Sequence, residues 1–207
     1  MMSDILPNQC TIKKEVTLKG VGLHTGKNVT LTFKPAPVNT GYIFKRIDME
    51  GAPCIAADAN YVTNTQRGTN LEKDGVIIQT SEHVLAALVG LQVDNCILEL
   101  NASEPPIMDG SSKFFVEAIE KAGIVSQDAV REEYVVTEII NYIDQETGSE
   151  ITILPSDTYQ VTTMVDFGTK VLGTQNASIQ NISEFKTEIS DSRTFSFLHE
   201  IEMLLDH

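Results

Sequence analysis

The chain has 207 residues, 42% of them hydrophobic, and carries 15 lysines and arginines against 29 aspartates and glutamates, for a formal net charge of -14. A surface this negative repels a phosphate backbone, which excludes nucleic acid as the expected partner. The three cysteines form no C-x-x-C pair and no run of about 18 apolar residues occurs, which indicates reduced cysteines in a soluble, cytoplasmic protein without a membrane span.

The first half of the chain predicts an antiparallel sheet. Strands are expected over residues 14–18, 28–34, 41–47, 76–79 and 93–100. In the second of these, Val29, Leu31 and Phe33 alternate with polar residues, as on a sheet with one buried face. Turn residues separate the strands, and Lys73-Asp74-Gly75 is typical of a hairpin tip.

Two amphipathic helices are predicted in the same half. The first is capped by Thr80 or Ser81 and weakens at Gly90; the second is capped by Ser111 or Ser112 and stops at Gly123. Strands on one side and helices on the other make a two-layer α+β domain. We expect this domain to cover residues 1–126, with a small insert near 50–78.

The pattern restarts after residue 131, where strands are expected over residues 134–143, 150–154 and 159–167 and a helix over residues 192–207. Thr147-Gly148 repeats Thr25-Gly26 at an offset of 122 residues, and Pro155 repeats Pro35 at an offset of 120. Near-equal offsets predict a domain duplicated in tandem, although two unrelated β-meanders give a similar pattern. The second copy, 131–207, then lacks a helix, a strand and another helix. We therefore expect an incomplete, truncated domain whose exposed apolar face leads to non-native pairing or dimerisation.

The residues Glu82 and His83 lie in the first turn of the first predicted helix. The positive helix terminus favours an ionised carboxylate that can accept a proton and a neutral imidazole that can bind a metal. However, no second histidine follows one helical turn after His83, and a catalytic zinc normally takes three protein ligands. A surface or capping role for the pair is the competing interpretation.

Three other segments are candidates for ligand contacts. His24 lies in a glycine-rich turn, 20–26, whose backbone can approach a ligand closely or can form an ordinary hairpin. In the loop 103–111 two prolines favour a structural role, with Asp109 organising the following helix start. Segment 191–197 combines hydroxyls, a cation and two aromatic rings, a set that also suits capping and core packing.

Taken together and in this order, the segments resemble the UDP-3-O-acyl-N-acetylglucosamine deacetylase (LpxC) family. The resemblance is carried by Gly20 to Gly26, Leu31 to Pro37, Thr80 to Leu88, Val93-Asp94-Asn95, Glu104 to Ser111 and Ser192 to Phe195. It implies two similar α+β domains with the active site between them. The implied activity is zinc-dependent removal of the acetyl group from UDP-linked acylated glucosamine, in lipid A synthesis of a Gram-negative bacterium.

The resemblance also implies roles for individual residues. His83 matches a zinc ligand, and Glu82 matches the general base that takes a proton from the attacking water. Thr194 matches the threonine that stabilises the oxyanion, and Phe195 matches its neighbour lining the substrate site. His24 matches a residue near the nucleotide and acyl-sugar end of the cleft, while Gly68 falls in the region of the insert that contributes to the acyl passage.

One departure from the family pattern bears on activity. Family members continue into a His-Lys-x-x-Asp helix that supplies two further zinc ligands, and then to a later histidine; neither is in these 207 residues. His199 comes too soon after Thr194 to be the missing ligand. The resemblance therefore implies an inactive amino-terminal fragment with weak or absent zinc, from a parent that in some members is fused to a hydroxyacyl-carrier-protein dehydratase. The alternative is a non-catalytic binding or assembly module on the same scaffold.

Overall fold

A computed structural model describes residues 6–65 and 67–197 of the chain. Its elements are, in chain order, β1 (Asn8–Ile12), β2 (Val16–Val21), β3 (Asn28–Pro35), β4 (Tyr42–Arg46), β5 (Cys54–Ala56), β6 (Val62–Asn64), β7 (Asn70–Lys73), β8 (Val76–Ile78), α1 (Glu82–Gly90), β9 (Cys96–Leu100), α2 (Lys113–Ala122), β10 (Ile124–Val130), β11 (Ile140–Ile143), β12 (Glu150–Ile153), β13 (Val161–Asp166) and β14 (Thr174–Ile179). Short 3₁₀ turns lie at Ala59–Tyr61 and Ile182–Glu184, and a π-helical turn follows at Phe185–Ile189.

The main sheet has five strands in the order β2-β3-β9-β4-β5. Neighbouring strands are antiparallel except β4 and β9, which are parallel. Phe33, Leu98 and Phe44 lie side by side in register across the three central strands, and all are fully buried. The predicted alternation along β3 is confirmed, because Val29, Leu31 and Phe33 face the core while the residues between them do not.

Both predicted helices form, and they cover the buried face of this sheet. Val84 and Leu88 of α1 and Phe115 and Ile119 of α2 join the same hydrophobic core as the sheet residues. The rings of Phe33 and Phe115 lie 6.4 Å apart between centroids, which joins sheet to helix directly. The α+β fold class is therefore confirmed. Within the described ranges no helix has the length and apolar character needed to cross a bilayer.

The helix starts agree only in part with the predicted caps: the Ser111 hydroxyl accepts a hydrogen bond from the N–H of Lys113, the first residue of α2, at 3.2 Å. Ser81 occupies the N-cap of α1 and Ser112 that of α2, but neither side chain makes a capping hydrogen bond. The Ser81 hydroxyl donates instead to the Thr69 carbonyl at 2.9 Å, and the Ser112 hydroxyl donates to the His83 carbonyl at 3.0 Å. The hydroxyls of Ser81 and Ser112 thus tie the helix starts to neighbouring segments.

No sequence pattern predicted the pair formed by β1 and β10. These strands are antiparallel, with Ile12 opposite Ile124, and Ile12 is fully buried. The predicted domain boundary at 126 falls within β10. The predicted strand 93–100 begins only at Cys96, because the N–H groups of Asp94 and Asn95 donate to the Cys10 carbonyl in β1 instead of joining the sheet.

The segment after residue 131 forms two separate antiparallel hairpins, β11-β12 and β13-β14. The strand predicted to start at Tyr134 is shorter, and Tyr134 itself is 89% exposed. Ile179, Ile182 and Phe185 are buried, and Phe185 packs so closely on α1 that a Cβ at Gly90 would overlap its ring. The helix predicted from residue 192 is not present through residue 197, and its remainder lies outside the described residues.

Candidate active site

The Glu82 and His83 side chains lie together at the start of α1. His83 Nε2 is 4.0 Å from Glu82 Oε1, and the two side chains are 18% and 39% exposed, respectively. Glu82 Oε2 accepts a hydrogen bond from the backbone N–H of Thr69 at 2.8 Å. The carboxylate is thus held by one oxygen, while the other faces the imidazole in a partly open position.

The loop before β7 holds this helix start in place. The Thr69 carbonyl accepts hydrogen bonds from the Ser81 N–H and hydroxyl, at 3.2 and 2.9 Å. Gly68 allows the close approach: its φ is 156°, and a Cβ there would lie 3.3 Å from Thr80 Oγ1 and 3.5 Å from Glu82 Oε1. The insert predicted near 50–78 therefore contacts the general-base candidate directly.

The carboxylate of Glu104 lies between the glycine-rich turn and the helix start, and its residue is fully buried. It accepts hydrogen bonds from the N–H groups of His24 and Thr25 and from the hydroxyls of Thr25 and Thr80, at 3.0 to 3.1 Å. Burial raises the pKa of Glu104, but these hydrogen bonds outweigh burial and hold the pKa below its usual value. Glu104 is therefore a buried carboxylate that stays charged.

The glycines of the turn allow this loop to approach. A Cβ at Gly22 would lie 2.6 Å from Glu104 Oε2, and a Cβ at Gly20 would lie 2.9 Å from Pro106 Cβ. The sequence suggested that a ligand could approach these glycines closely. At Gly20 and Gly22, however, the protein's own loop occupies that space. The His24 side chain remains exposed, with Nε2 3.2 Å from the Arg67 carbonyl oxygen.

The end of the same loop holds Thr194. The Thr194 N–H donates to the Gly110 carbonyl at 2.8 Å, and Arg193 pairs with Asp109 at 3.1 Å. The Ser112 N–H donates to the Ser190 carbonyl at 3.1 Å, while its hydroxyl reaches the His83 carbonyl. Residues 104–112 therefore contact the backbone or side chains of all three candidate segments, at 24, 80–83 and 194.

Phe195 is 60% exposed and belongs to an aromatic cluster. Its ring packs edge-on against Phe167 and Phe197, with centroids 5.0 and 5.6 Å away. Such a cluster offers apolar surface beside Thr194 without entering the main core. The alternative interpretation, that this phenylalanine belongs to the hydrophobic core, does not agree with its exposure.

The described part of the chain offers a proton acceptor and one imidazole, but not a complete metal site. In residues 6–65 and 67–197, no group of three His, Cys, Asp or Glu side chains is arranged to hold a metal ion. A catalytic zinc needs about three protein ligands, so His83 fits as one ligand of an incomplete set.

Glu104 is the residue whose importance the sequence did not show. The loop 103–111 was expected to be structural, which agrees with its contacts, but nothing in its spacing identified the glutamate as the central acceptor. The only available signal was an acidic residue followed directly by two prolines. Burial of that carboxylate depends on segments 24–25 and 80, which lie far away in the chain.

Comparison with known proteins gives consistent matches over nearly the whole chain. Residues 9–207 match the family described as UDP-3-O-acyl N-acetylglycosamine deacetylase, LpxC. The chain is 44% identical over 197 residues to the bifunctional enzyme LpxC/FabZ of Bacteroides thetaiotaomicron, covering 95% of this chain and 43% of that protein. It is 46% identical over 201 residues to the enzyme of the same name from Chlorobaculum tepidum, covering 97% of this chain and 43% of that protein.

A shorter relative gives a similar identity. The UDP-3-O-acyl-N-acetylglucosamine deacetylase of Chromohalobacter salexigens is 42% identical over 199 residues, with 95% of this chain and 65% of that protein covered. The chain thus spans about two-fifths of the bifunctional relatives and about two-thirds of this deacetylase.

Proposed function

The chain belongs to the UDP-3-O-acyl-N-acetylglucosamine deacetylase family, and we propose that it carries part of the machinery that hydrolyses the acetamide of UDP-3-O-acyl-N-acetylglucosamine in lipid A biosynthesis. The observation that carries the proposal is the juxtaposition of the Glu82 carboxylate and the His83 imidazole, 4.0 Å apart and partly exposed. The proposal places the enzyme in the cytoplasm of a Gram-negative bacterium.

In this proposal Glu82 is the general base and accepts a proton from the water that attacks the acetamide carbonyl. The Thr69 N–H keeps the carboxylate oriented while Oε1 stays available. His83 would be one ligand of a zinc ion, which would supply Lewis acidity. Water adds to the carbonyl carbon as its proton passes to Glu82; the C–N bond then breaks as that proton is transferred to the sugar nitrogen, and the products are acetate and the sugar amine.

The remaining candidate residues are assigned to substrate and transition state. The Thr194 hydroxyl donates to the oxyanion that develops on the carbonyl oxygen, and its main chain is fixed by the Gly110 carbonyl at 2.8 Å. Phe195 lines the substrate site with the exposed ring described above. His24 contacts the nucleotide and acyl-sugar end of the substrate, while Gly68 lies in the insert assigned to the acyl passage.

The zinc assignment predicts that these 207 residues alone are inactive. They contain His83 but no His-Lys-x-x-Asp motif, to which the family resemblance assigns two further ligands. The gene sequence beyond codon 207 tests this: the motif there supports the enzyme, and a stop codon supports a non-catalytic module. The same sequence tests for a fused hydroxyacyl-carrier-protein dehydratase.

We also propose that domains 1–126 and 131–207 are tandem copies of one α+β unit. Support comes from two turns at an offset of 122 residues. The Gly26 N–H donates to the Gly22 carbonyl at 3.0 Å, and the Gly148 N–H donates to the Asp144 carbonyl at 2.8 Å. Both glycines have positive φ, 62° and 72°. An incomplete copy would self-associate through its apolar face, and a monodisperse, cooperatively unfolding monomer would contradict that expectation.

The test of function is acetate release from UDP-3-O-acyl-N-acetylglucosamine. It uses the protein with every segment encoded after codon 207, because the zinc ligands are assigned there. Glu82→Gln should lower kcat by about 100-fold or more, since general-base catalysis contributes roughly 10²- to 10⁴-fold. Glu72→Gln, an exposed glutamate of β7, is the matched control and should keep wild-type activity. Unchanged kcat in Glu82→Gln would exclude the general-base role.

A further inference from the structure

We propose that Glu104 is a positioning residue that ties the turn carrying His24 to the first turn of α1. The inference rests on the proposed function, in which His24 contacts substrate and α1 carries the general base. One carboxylate thereby sets the distance between the substrate-binding turn and the catalytic helix.

The hydrogen bonds of Glu104 divide between these two segments. Oε2 accepts from the Thr25 N–H and hydroxyl, each at 3.0 Å, and Oε1 accepts from the Thr80 hydroxyl at 3.0 Å. The His24 N–H lies 3.1 Å from both oxygens. Thr80 stands two residues before Glu82, so movement of Glu104 would be transmitted to the general base over a very short stretch of chain.

The turn between β11 and β12, the second of the two turns compared above, is held by a carboxylate from within the turn itself. The Asp144 carboxylate accepts from the Glu146 N–H at 3.0 Å and from the Thr147 hydroxyl at 2.7 Å, all within one turn. Position 144 corresponds to Gly22 at the offset of 122 residues. Gly22 has no side chain, and the space beside it holds Glu104, which lies within 2.6 Å of where a Cβ would be.

The first turn, residues 22–26, is therefore held by Glu104 from a distant part of the chain, whereas the second turn, residues 144–148, is held by its own Asp144. A local aspartate would satisfy the Thr25 hydroxyl and the neighbouring N–H, but it would leave the Thr80 hydroxyl unpaired. Burying the charged Glu104 carboxylate also costs free energy, and the hydrogen-bond donors described above carry no positive charge that would offset that cost. The connection to Thr80 is what the distant carboxylate adds.

The experiment separates this connection from simple support of the turn. Thr80→Val removes the hydroxyl and keeps the side-chain shape, while Thr80→Ser keeps the hydroxyl and is the matched control. Glu104→Ala removes the charge and both tethers. Gly22→Asp combined with Glu104→Ala, which clears the side chain from the space beside Gly22, supplies a local anchor like that of the second turn.

Amide hydrogen exchange in the 207-residue chain gives the first measurement. In Thr80→Val we expect the Leu85 N–H, which donates to the Ser81 carbonyl at 3.1 Å, to exchange about tenfold faster or more, with His24, Thr25 and the β9 residue Leu98 unchanged. Thr80→Ser should match wild type. The double variant should restore protection at His24 and Thr25 but not at Leu85. Unchanged Leu85 exchange in Thr80→Val and in the double variant would overturn the proposal.

Deacetylation kinetics of the protein with its downstream-encoded segments give the second measurement. Thr80→Val should lower kcat roughly 10- to 100-fold with little change in KM, and Thr80→Ser should retain wild-type kcat. Full kcat in Thr80→Val would also overturn the proposal. If wild type itself releases no acetate, the proposed function fails, while the exchange data still decide whether Glu104 joins the two segments.

Discussion

The backbone N–H of Thr69 donates a hydrogen bond to Glu82 Oε2 at 2.8 Å, so the insert loop holds the carboxylate at the start of α1. Gly68 precedes Thr69 in the chain, and any side chain at Gly68 would point toward Glu82 and Thr80. Orientation of the proposed general base therefore depends on a residue with no functional group of its own.

Gly68→Ala should lower kcat, whereas a control glycine substitution that destabilises the protein to a similar extent should not. The variant places a Cβ 3.5 Å from Glu82 Oε1 and strains a backbone with φ of 156°. Gly75→Ala is the matched control, because its φ is 79° but nothing lies within 4 Å of the added Cβ. Both should lose about 1–3 kcal/mol of unfolding free energy, whereas only Gly68→Ala should lower kcat, by roughly tenfold. Equal kcat in the two variants would show that the insert does not orient Glu82.

The stabilising effect of Glu104 should depend on pH. Hydrogen bonds lower its folded-state pKa against the opposing effect of burial, so its contribution is fully present above the unfolded-state pKa of about 4.3 and is lost as pH falls through the folded-state value. The difference in urea midpoint between wild type and Glu104→Gln should be constant near neutral pH and shrink in acid. Asp48, Glu99 and Asp109 also have lowered pKa values, but they are common to both proteins and cancel. A difference that grows in acid would contradict the assignment.

Adjacent phenylalanines of α2 should have very different effects on stability. Phe115 is fully buried against Phe33, whereas Phe114 is 37% exposed. Phe115→Ala should cost about 3–5 kcal/mol through lost burial and a cavity, and Phe114→Ala about 1 kcal/mol or less. Urea unfolding measures both values. Similar losses would mean that the packing of α2 on the sheet is not as described.

Zinc binding by the 207-residue chain should be weak and should depend on His83. One imidazole and one neighbouring carboxylate do not complete a catalytic zinc site, which takes about three protein ligands. Zinc measured after dialysis should fall well below one ion per chain. His83→Ala should abolish what remains, while His24→Ala, the control imidazole substitution, should leave it unchanged. One zinc ion per chain in His83→Ala would contradict the assignment of His83 as a zinc ligand.

Local sequence patterns were sufficient to locate the main elements. Alternation identified β3, and amphipathic spacing identified α1 and α2, because each of these segments buries one face against a single core. The strands β1 and β14 were missed. Their sequences, NQCTI and TQNASI, contain too many polar residues to show a buried face, and each becomes a strand only by pairing with another segment.

The same division applies to the site. The sequence by itself determined that Glu82 and His83 share the first turn of a helix, since a helix start depends on neighbouring residues. Only the tertiary structure decided that Glu104 is buried and charged, and that the serines at the helix starts bond to distant carbonyls. Those features depend on which donors and acceptors meet after the sheet and helices pack, and no local pattern encodes such meetings across 12 to 80 residues.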